Sequence, residues 1–415
     1  KVWEKDGRGS VVMKGLGMVS GAVWTDLDGD GKGELVTASE WGEVEVMRWE
    51  GGELKKWDME VEWAGEWRGE GKGPRRLSEM KGWWNSVTAG DFDGDGRMDL
   101  VVGNRGLNNR YREYLKWGLR VHHGDVDGDG VWEVVETHWE PGLGKEVPWM
   151  DWKRMKGSMP GVGERFGSYR EYGEAGVEEV LGEGLKGMEE LRVNVMETVV
   201  MMNRGGRLEC HGMGGEMEYA PVYGLCVGDY DGDGREDVFG GQNFFGTDGE
   251  SGREDGGRGV WMKGDGRGGF RSVGGGESGV KVYGEGRGAA LCDYDGDGRV
   301  DLVVGQNGGE TKLYRNVKGR AGLRVRLKGP GMNGNGFGGV VRIGDEKGLG
   351  AARGVHGGSG YWSQESPVMV MSLEGGRVPT RVQVRWPGGA VTEGPIPKGA
   401  REIEVSSSGE IVTRP

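Results

Sequence analysis

Carboxylates recur along the chain in one fixed pattern. The run Asp26-Leu-Asp28-Gly-Asp30-Gly-Lys32-Gly-Glu34 returns as Asp91-Phe-Asp93-Gly-Asp95-Gly-Arg97-Met-Asp99 and as Asp125-Val-Asp127-Gly-Asp129-Gly-Val131-Trp-Glu133. It returns again as Asp229-Tyr-Asp231-Gly-Asp233-Gly-Arg235-Glu-Asp237 and as Asp293-Tyr-Asp295-Gly-Asp297-Gly-Arg299-Val-Asp301. Of the 25 Asp in the chain, 18 lie in these five runs, whereas charges that only solvate a surface would scatter. Oxygen ligands at this density suit a hard cation. Ca²⁺ takes six to eight oxygens, and a tight loop supplies them from side chains at positions 1, 3 and 5 and a backbone carbonyl at 7. Each run has Asp at 1, 3 and 5, a carbonyl at 7 (Lys32, Arg97, Val131, Arg235 or Arg299) and a further carboxylate at 9. Gly at 4 and 6 tolerates the positive φ of a sharp turn. A helix–loop–helix site would need Glu at position 12. That position is Thr37, Val102, Glu136, Gly240 or Val304, so only one of the five fits. The alternative is acidic turns that bind nothing, in which clustered carboxylates would repel strongly. Five Ca²⁺ ions are therefore expected, and they would take the formal net charge from −13 to −3.

Strand-like runs follow the loops, among them Leu100-Val-Val-Gly103 and Leu302-Val-Val-Gly305, so the loops join β-strands. Successive loops are 65, 34, 104 and 64 residues apart, and the longest gap is wide enough to hide a repeat without the motif. A weaker repeat relates Val260-Trp-Met-Lys263 to Val2-Trp-Glu-Lys5, each reading as a strand before a glycine turn. The first copy opens the chain in mid-repeat, and residue 1 is Lys, which suggests a processed or shortened chain. Pairing that hairpin with the last repeat, which ends at Leu313-Tyr-Arg-Asn316, would close a ring of sheets. Residues 150–190 break the pattern: Val177, Val180, Leu181 and Leu185 have helical spacing, which predicts a short helical insertion capping one face of the ring.

The loops, together with Asp99-Leu-Val-Val-Gly-Asn104, Asp301-Leu-Val-Val-Gly-Gln-Asn307 and Lys312-Leu-Tyr-Arg-Asn316, resemble FG-GAP/VCBS repeats, the calcium-binding propeller repeats also seen in integrin α-subunits. Further on, Asn333-Gly-Asn-Gly-Phe-Gly-Gly-Val340, Gly357-Gly-Ser-Gly-Tyr-Trp-Ser-Gln364 and Val382-Gln-Val-Arg-Trp-Pro-Gly-Gly389 are similar in order to the ASPIC/UnbV domain. That domain follows such propellers in bacterial relatives of cartilage acidic protein. Phe337 stands where a smaller aliphatic residue is usual. The resemblance implies an all-β fold: a calcium-binding β-propeller of about seven blades over residues 1–317, and a small C-terminal β domain over 318–415. The loop carboxylates would bind Ca²⁺, with Glu34 and Glu133 in place of the usual Asp and expected to weaken those two sites. The family implies a secreted, extracellular or cell-surface protein with a binding, adhesion or structural role and no known reaction. Its partner would be a protein or glycan ligand, or further copies of itself in a homopolymer or fibre.

A net charge of −13 repels phosphate backbones, so nucleic acid is not an expected partner. No apolar run is long enough to span a membrane. Neighbouring His122 and His123 in a strand point to opposite faces and cannot easily share a metal. Gly182-x-Gly184-x-x-Gly187 and Gly264-x-Gly266-x-x-Gly269 match a dinucleotide fingerprint formally, but among 91 Gly such matches arise by chance. Ser359 lacks the last Gly of a nucleophile elbow. No catalytic residue is assigned. The alternative to a binding module is an extracellular carbohydrate-active enzyme using a propeller face. Fourteen of the 17 Trp precede residue 153 and read mainly as packing; residues 62–73 are best placed to expose Trp63 and Trp67. Of the three cysteines, Cys210, Cys226 and Cys292, the latter two sit in apolar runs and read as buried thiols.

Overall fold

A computed structural model of the chain describes residues 15–126, 128–247 and 251–414. β1 (Met18–Thr25), β2 (Glu34–Glu40), β3 (Val44–Glu50) and β4 (Glu53–Lys56) form the first sheet in that order. β5 (Glu60–Trp63), β6 (Ser86–Gly90) and β7 (Asp99–Gly103) begin the second. The chain then leaves it. β8 (Leu119–Gly124), β9 (Glu133–Glu140), β10 (Lys145–Pro148) and β11 (Glu189–Val193) make a separate sheet of order β10-β9-β8-β11. β12 (Val199–Asn203) and β13 (Arg207–Gly212) return to complete the second sheet, order β5-β13-β12-β7-β6, with Val199 opposite Val102. β14 (Val222–Gly228), β15 (Asp237–Gln242), β16 (Val260–Gly264) and β17 (Phe270–Val273) follow, then β18 (Glu285–Cys292), β19 (Asp301–Asn307) and β20 (Lys312–Tyr314).

Residues 104–198 are thus an insertion between two paired strands, and it explains the irregular loop spacing. The third acidic loop joins β8 to β9 inside it. The long gap after that loop holds the rest of the insertion and the returning β12 and β13, not a repeat without the motif. Four short helices lie in the insertion: α1 (Trp152–Ser158), α2 (Pro160–Gly163), α3 (Tyr169–Gly173) and α4 (Val177–Leu181). The Asp151 carboxylate caps α1, accepting from Lys153 N at 2.8 Å and Arg154 N at 3.2 Å. Val177, Val180 and Leu181 share a core with Met155, Tyr172 and Val135 of β9. The helices therefore cover their own inserted sheet, where a cap over the larger assembly was expected.

The other four sheets stack through one edge strand of each: β1 on β6, β6 on β14, and β14 on β18. β6 and β14 are buried at every residue, so they lack the alternation of a half-exposed strand. Close approach needs glycine at Gly21, on the bulge of β1, where a Cβ would lie 2.9 Å from the Ser86 Cα. Hydrogen bonds fasten each sheet to the acidic loop of the one before. Asn203 Nδ2 donates to Leu27 O at 2.6 Å, Gly268 N to Phe92 O at 3.2 Å, and Asn316 Nδ2 to Tyr230 O at 2.5 Å. Among the described residues this region holds five sheets, four of them stacked, where about seven blades were expected. The N-terminal hairpin expected to close a ring lies in residues 1–14, outside the described residues.

The C-terminal region adds β21 (Leu323–Lys328), β22 (Val340–Asp345), β23 (Gly348–Leu349), β24 (Arg353–Gly354), β25 (Val368–Met371), β26 (Arg381–Arg385), β27 (Val391–Pro395), β28 (Glu402–Ser406) and β29 (Ile411–Arg414). They form two sheets, β25-β21-β28-β29 and β23-β22-β26-β27, with β24 against β22. Val325, Ile343, Val384, Trp386 and Ile403 fill the core between them, and Phe337 packs against its edge. From this domain an arm, residues 351–366, crosses all four stacked edge strands. Gly357 O accepts from Trp24 N of β1, and Gly360 N donates to Val87 O of β6 at 3.0 Å. The Glu365 carboxylate accepts from Val227 N of β14, and Ser366 N donates to Leu291 O of β18.

At the start of the arm Arg353 forks onto Glu236 at 2.6–3.1 Å, with Glu236 buried and the Arg353 side chain 13% exposed. Removing one partner of such a pair strands a buried charge. Glu236→Ala is expected to cost about 3–5 kcal/mol in urea unfolding. The double variant Glu236→Leu with Arg353→Met is expected to recover most of that loss.

Candidate metal centres

One hydrogen-bond frame recurs in all five loops. The position 1 carboxylate accepts from the backbone N–H of the position 6 glycine: Gly31 to Asp26, Gly96 to Asp91, Gly130 to Asp125, Gly234 to Asp229 and Gly298 to Asp293, at 2.8–3.0 Å. The position 9 carboxylate accepts from the N–H of position 2: Leu27 to Glu34, Phe92 to Asp99, Val126 to Glu133, Tyr230 to Asp237 and Tyr294 to Asp301, at 2.7–3.2 Å. Position 5 accepts from the N–H of position 7: Lys32 to Asp30, Arg97 to Asp95, Val131 to Asp129, Arg235 to Asp233 and Arg299 to Asp297. All ten loop glycines at positions 4 and 6 have φ between 74° and 91°, which a side chain would strain.

This frame turns carboxylate oxygens toward a common point. Three ligands lie within 4.8 Å of one another in each of four loops: Asp26, Asp28 and Glu34; Asp91, Asp93 and Asp99; Asp229, Asp231 and Asp237; Asp293, Asp295 and Asp297. These clusters could hold metal ions. In the third loop Asp125, Asp129 and Glu133 keep the frame, and Asp127 lies outside the described residues. The fit to a hard cation has a direct sign in the second loop, where Asp91 Oδ1 is buried without a hydrogen-bond partner. Glu34 sits in its cluster at hydrogen-bond lengths like those of the Asp loops, so its extra methylene does not displace it.

Burial pushes the carboxyls up: Glu34 to about 7, Asp91 and Asp229 to about 6, Asp99 to about 8, and Asp237 well above the usual range. Neighbouring loop carboxylates add to the rise. Side-chain cations offset part of this charge. Lys32 pairs with Asp30 at 2.9 Å and Arg299 with Asp297 at 2.7 Å. Position 3 receives Arg204 on Asp93 at 2.5 Å and Arg315 on Asp295 at 2.5 Å, and Lys263 bridges Asp231 and Asp233.

The C-terminal domain sits directly on four of the loops. Arg385 reaches Asp26 at 3.1 Å, Ala352 N donates to Asp91 Oδ2 at 2.7 Å, and Arg324 pairs with Asp293. At the fourth loop Arg320 N donates to Asp231 O at 3.0 Å, and Arg235 pairs with Glu374. A Cβ on Gly234 would lie 2.2 Å from Glu374 N, so position 6 is glycine for packing as well as for φ.

Comparison with known families follows the same division. An FG-GAP-like repeat model matches residues 26–102 and 229–304, and an ASPIC and UnbV model matches residues 329–411. The chain carries FG-GAP-like repeats and a C-terminal ASPIC and UnbV domain. The repeat matches take in the first, second, fourth and fifth loops and stop at the inserted sheet, which carries the third. No curated protein matches the chain.

The remaining candidates take structural places. His122 binds Glu146 at 2.7 Å while His123 lies against Trp132, on opposite faces of β8. Ser359 Oγ meets Thr88 Oγ1 at 3.0 Å within the arm. Trp63 and Trp67 do not form an open platform: they meet edge to face at 5.0 Å, half-buried on the first core, and donate to Glu66 O and Glu70 O. All three cysteines are free thiols, with Cys210 and Cys226 buried and Cys292 half-buried. Sequence reasoning missed Arg324, Arg353 and Arg385, because nothing local marks an arginine that meets its carboxylate across a domain boundary.

Raised carboxyl pKa values give the metal-free protein a definite pH response. The folded state holds protons that the unfolded state has released, so this contribution is present below about pH 4 and lost as pH rises through about 6–8. In chelator the thermal midpoint should therefore fall between pH 5.5 and 8.5. Added Ca²⁺ should raise it more at pH 8.5 than at pH 5.5, and a flat chelator profile would contradict this account.

Proposed function

We propose that this chain is a secreted, calcium-stabilised binding module in which a β-propeller displays ligand sites and Ca²⁺ stiffens its loops. The observation that carries this reading is the fourfold recurrence of three carboxylates within 4.8 Å on one hydrogen-bond frame. The donors that converge are all carboxylate oxygens, the chemistry Ca²⁺ prefers over softer metals, and the position 7 carbonyl is expected to add to them. FG-GAP-like repeats point in the same direction, toward a binding or adhesion-type extracellular module. Because the C-terminal domain packs on four of these loops, metal binding would also tighten the docking of the two regions.

Elemental analysis after dialysis against low calcium tests the reading. About five equivalents of Ca²⁺ are expected, and Asp91→Asn should lower the count by one without unfolding the chain. No bound Ca²⁺ at millimolar concentration would end it. Light scattering in calcium and then in chelator decides the structural version of the role: large assemblies that dissociate in chelator would make the chain a repeating subunit.

A second reading, catalysis on polysaccharide, is favoured by one feature: Glu136 and Glu254 line one cavity beside Trp83. Both carboxylates are engaged, Glu254 by Arg105 at 2.6 Å and Glu136 by the Tyr111 hydroxyl at 3.0 Å. We therefore place the role with binding, and expect no release of reducing sugar from polysaccharide panels.

A further inference from the structure

Non-glycine residues with left-handed backbone are costly and persist where surrounding structure enforces them. The described chain has three: Trp41 at φ 51°, Asn243 at 91° and Trp362 at 49°. They are far apart in sequence and none lines a cavity itself, yet each leads through one or two neighbouring residues to the wall of the same cavity. The Trp41 ring lies 4.8 Å from Trp83, which lines it. Asn243 immediately precedes Phe244, which also lines it. Trp362 stacks on Tyr361, and Tyr361 meets Tyr223 of the cavity wall at 5.2 Å.

The cavity has a volume of about 630 Å³, within the range of roughly 300–1,000 Å³ typical of small-molecule sites. Its walls come from separate parts of the fold. The segment leading into β6 supplies Trp83, the sheet of β14–β17 and its connections supply Tyr223 and Phe244, and the insertion supplies Arg105, Arg110, Tyr111 and Glu136. It opens at the strand ends away from the acidic loops: Asp99 starts β7 in the second loop, and Arg105 follows the far end of that strand.

Two arginine–glutamate pairs face this space, each backed by aromatic rings. The Arg105 guanidinium is buried between the rings of Trp83 at 4.1 Å and Phe244 at 4.8 Å, and pairs with Glu254 at 2.6 Å. Arg110 lies over Trp149 at 4.7 Å and Tyr111 at 5.2 Å, with Glu136 at 3.8 Å. A buried ion pair is a poor way to stabilise a fold, since apolar groups of the same volume do as well or better. Among the described residues the charged lining is balanced, three arginines (Arg105, Arg110, Arg253) against three glutamates (Glu40, Glu136, Glu254). Planar forks of donors beside planar acceptors suit neighbouring hydroxyls, which donate to carboxylates and accept from guanidinium N–H. The aromatic walls suit the apolar C–H faces between those hydroxyls.

We propose that this cavity is a binding site for a neutral saccharide. The proposal rests on the reading of the chain as a binding module and specifies where and what it binds. The site lies at the strand ends opposite the metal loops and needs no ion in contact with the ligand.

The test uses the full chain in calcium on an array of neutral and charged glycans, followed by titration calorimetry with a hit. Binding to at least one neutral class is expected. Arg110→Ala and Glu136→Gln should each weaken it about tenfold or more, the scale of a lost hydrogen bond to a charged group. Trp49→Ala, an exposed tryptophan outside the cavity, should leave it unchanged. Arg105→Ala risks the fold and is avoided. Each variant is checked for an unaltered thermal midpoint and Ca²⁺ count. No glycan binding at millimolar concentration overturns the proposal, as does binding confined to charged glycans or peptides, or binding unaffected by both cavity variants. A normal Ca²⁺ count with no glycan bound would remove this site and leave the calcium-stabilised module standing. A missing Ca²⁺ count with glycan bound would do the reverse.

Discussion

Each acidic loop gathers four carboxylates into nine residues, and that mutual repulsion must be answered before the sheets they join can stack. The first answer is local: backbone N–H groups of positions 2, 6 and 7 point at positions 9, 1 and 5. Glycine at 4 and 6 makes that curl affordable. The second answer is side-chain cations, from position 7 and from the third strand of the same sheet, as with Arg204, Lys263 and Arg315. Both leave Asp91 Oδ1 buried and without a hydrogen-bond partner. Three carboxylates still lie within 4.8 Å of one another in four of the loops, an arrangement that could hold a metal ion.

Cations from another domain carry the same constraint into the overall architecture. Arg385 and Arg324 neutralise position 1 carboxylates of the first and fifth loops, while Arg353 pairs with Glu236 beside the fourth. The C-terminal domain is thus docked by the charge that the repeats create. Its arm then bonds to β1, β6, β14 and β18 in turn, so the stack is braced both at its loops and along its stacked edge strands. His356 within that arm is held neutral by burial, with its ring nitrogen on Trp24 O, which keeps an additional charge out of this interface.

Much of this was legible because it is local. A loop that needs Asp at 1, 3 and 5 and Gly at 4 and 6 writes its whole requirement in nine consecutive residues, and the strands after it announce themselves as Val and Leu runs. Matching C-terminal motifs, from Asn333 to Gly389, likewise carried the domain's family. What escaped is what joins distant residues. β7 and β12 pair across the insertion, a relation that hydrophobic pattern cannot express, so the loop spacing looked like a hidden repeat. The helical spacing of Val177, Val180 and Leu181 gave the buried face of α4 but not its partner, which is β9 of the same insertion. Tryptophans misled for a related reason: composition shows their abundance, while only packing separates the enclosed Trp84 from the exposed Trp362.

The strand geometry separates two kinds of demand. β7 has five residues, all buried, and spans roughly 13 Å at about 3.3 Å per residue. Asp99 starts it and Arg105 follows its far end, so one stiff strand separates the loop carboxylates from the arginine–glutamate pairs of the cavity. The two ends are coupled mechanically. β7 is hydrogen-bonded on both sides, to β6 and β12, so anything that fixes the loop also fixes the register in which Trp83, Arg105 and the insertion meet. Rigidity passes along the strand, and this is how a repeat built around repelling carboxylates can also hold the shape of a cavity at its far end.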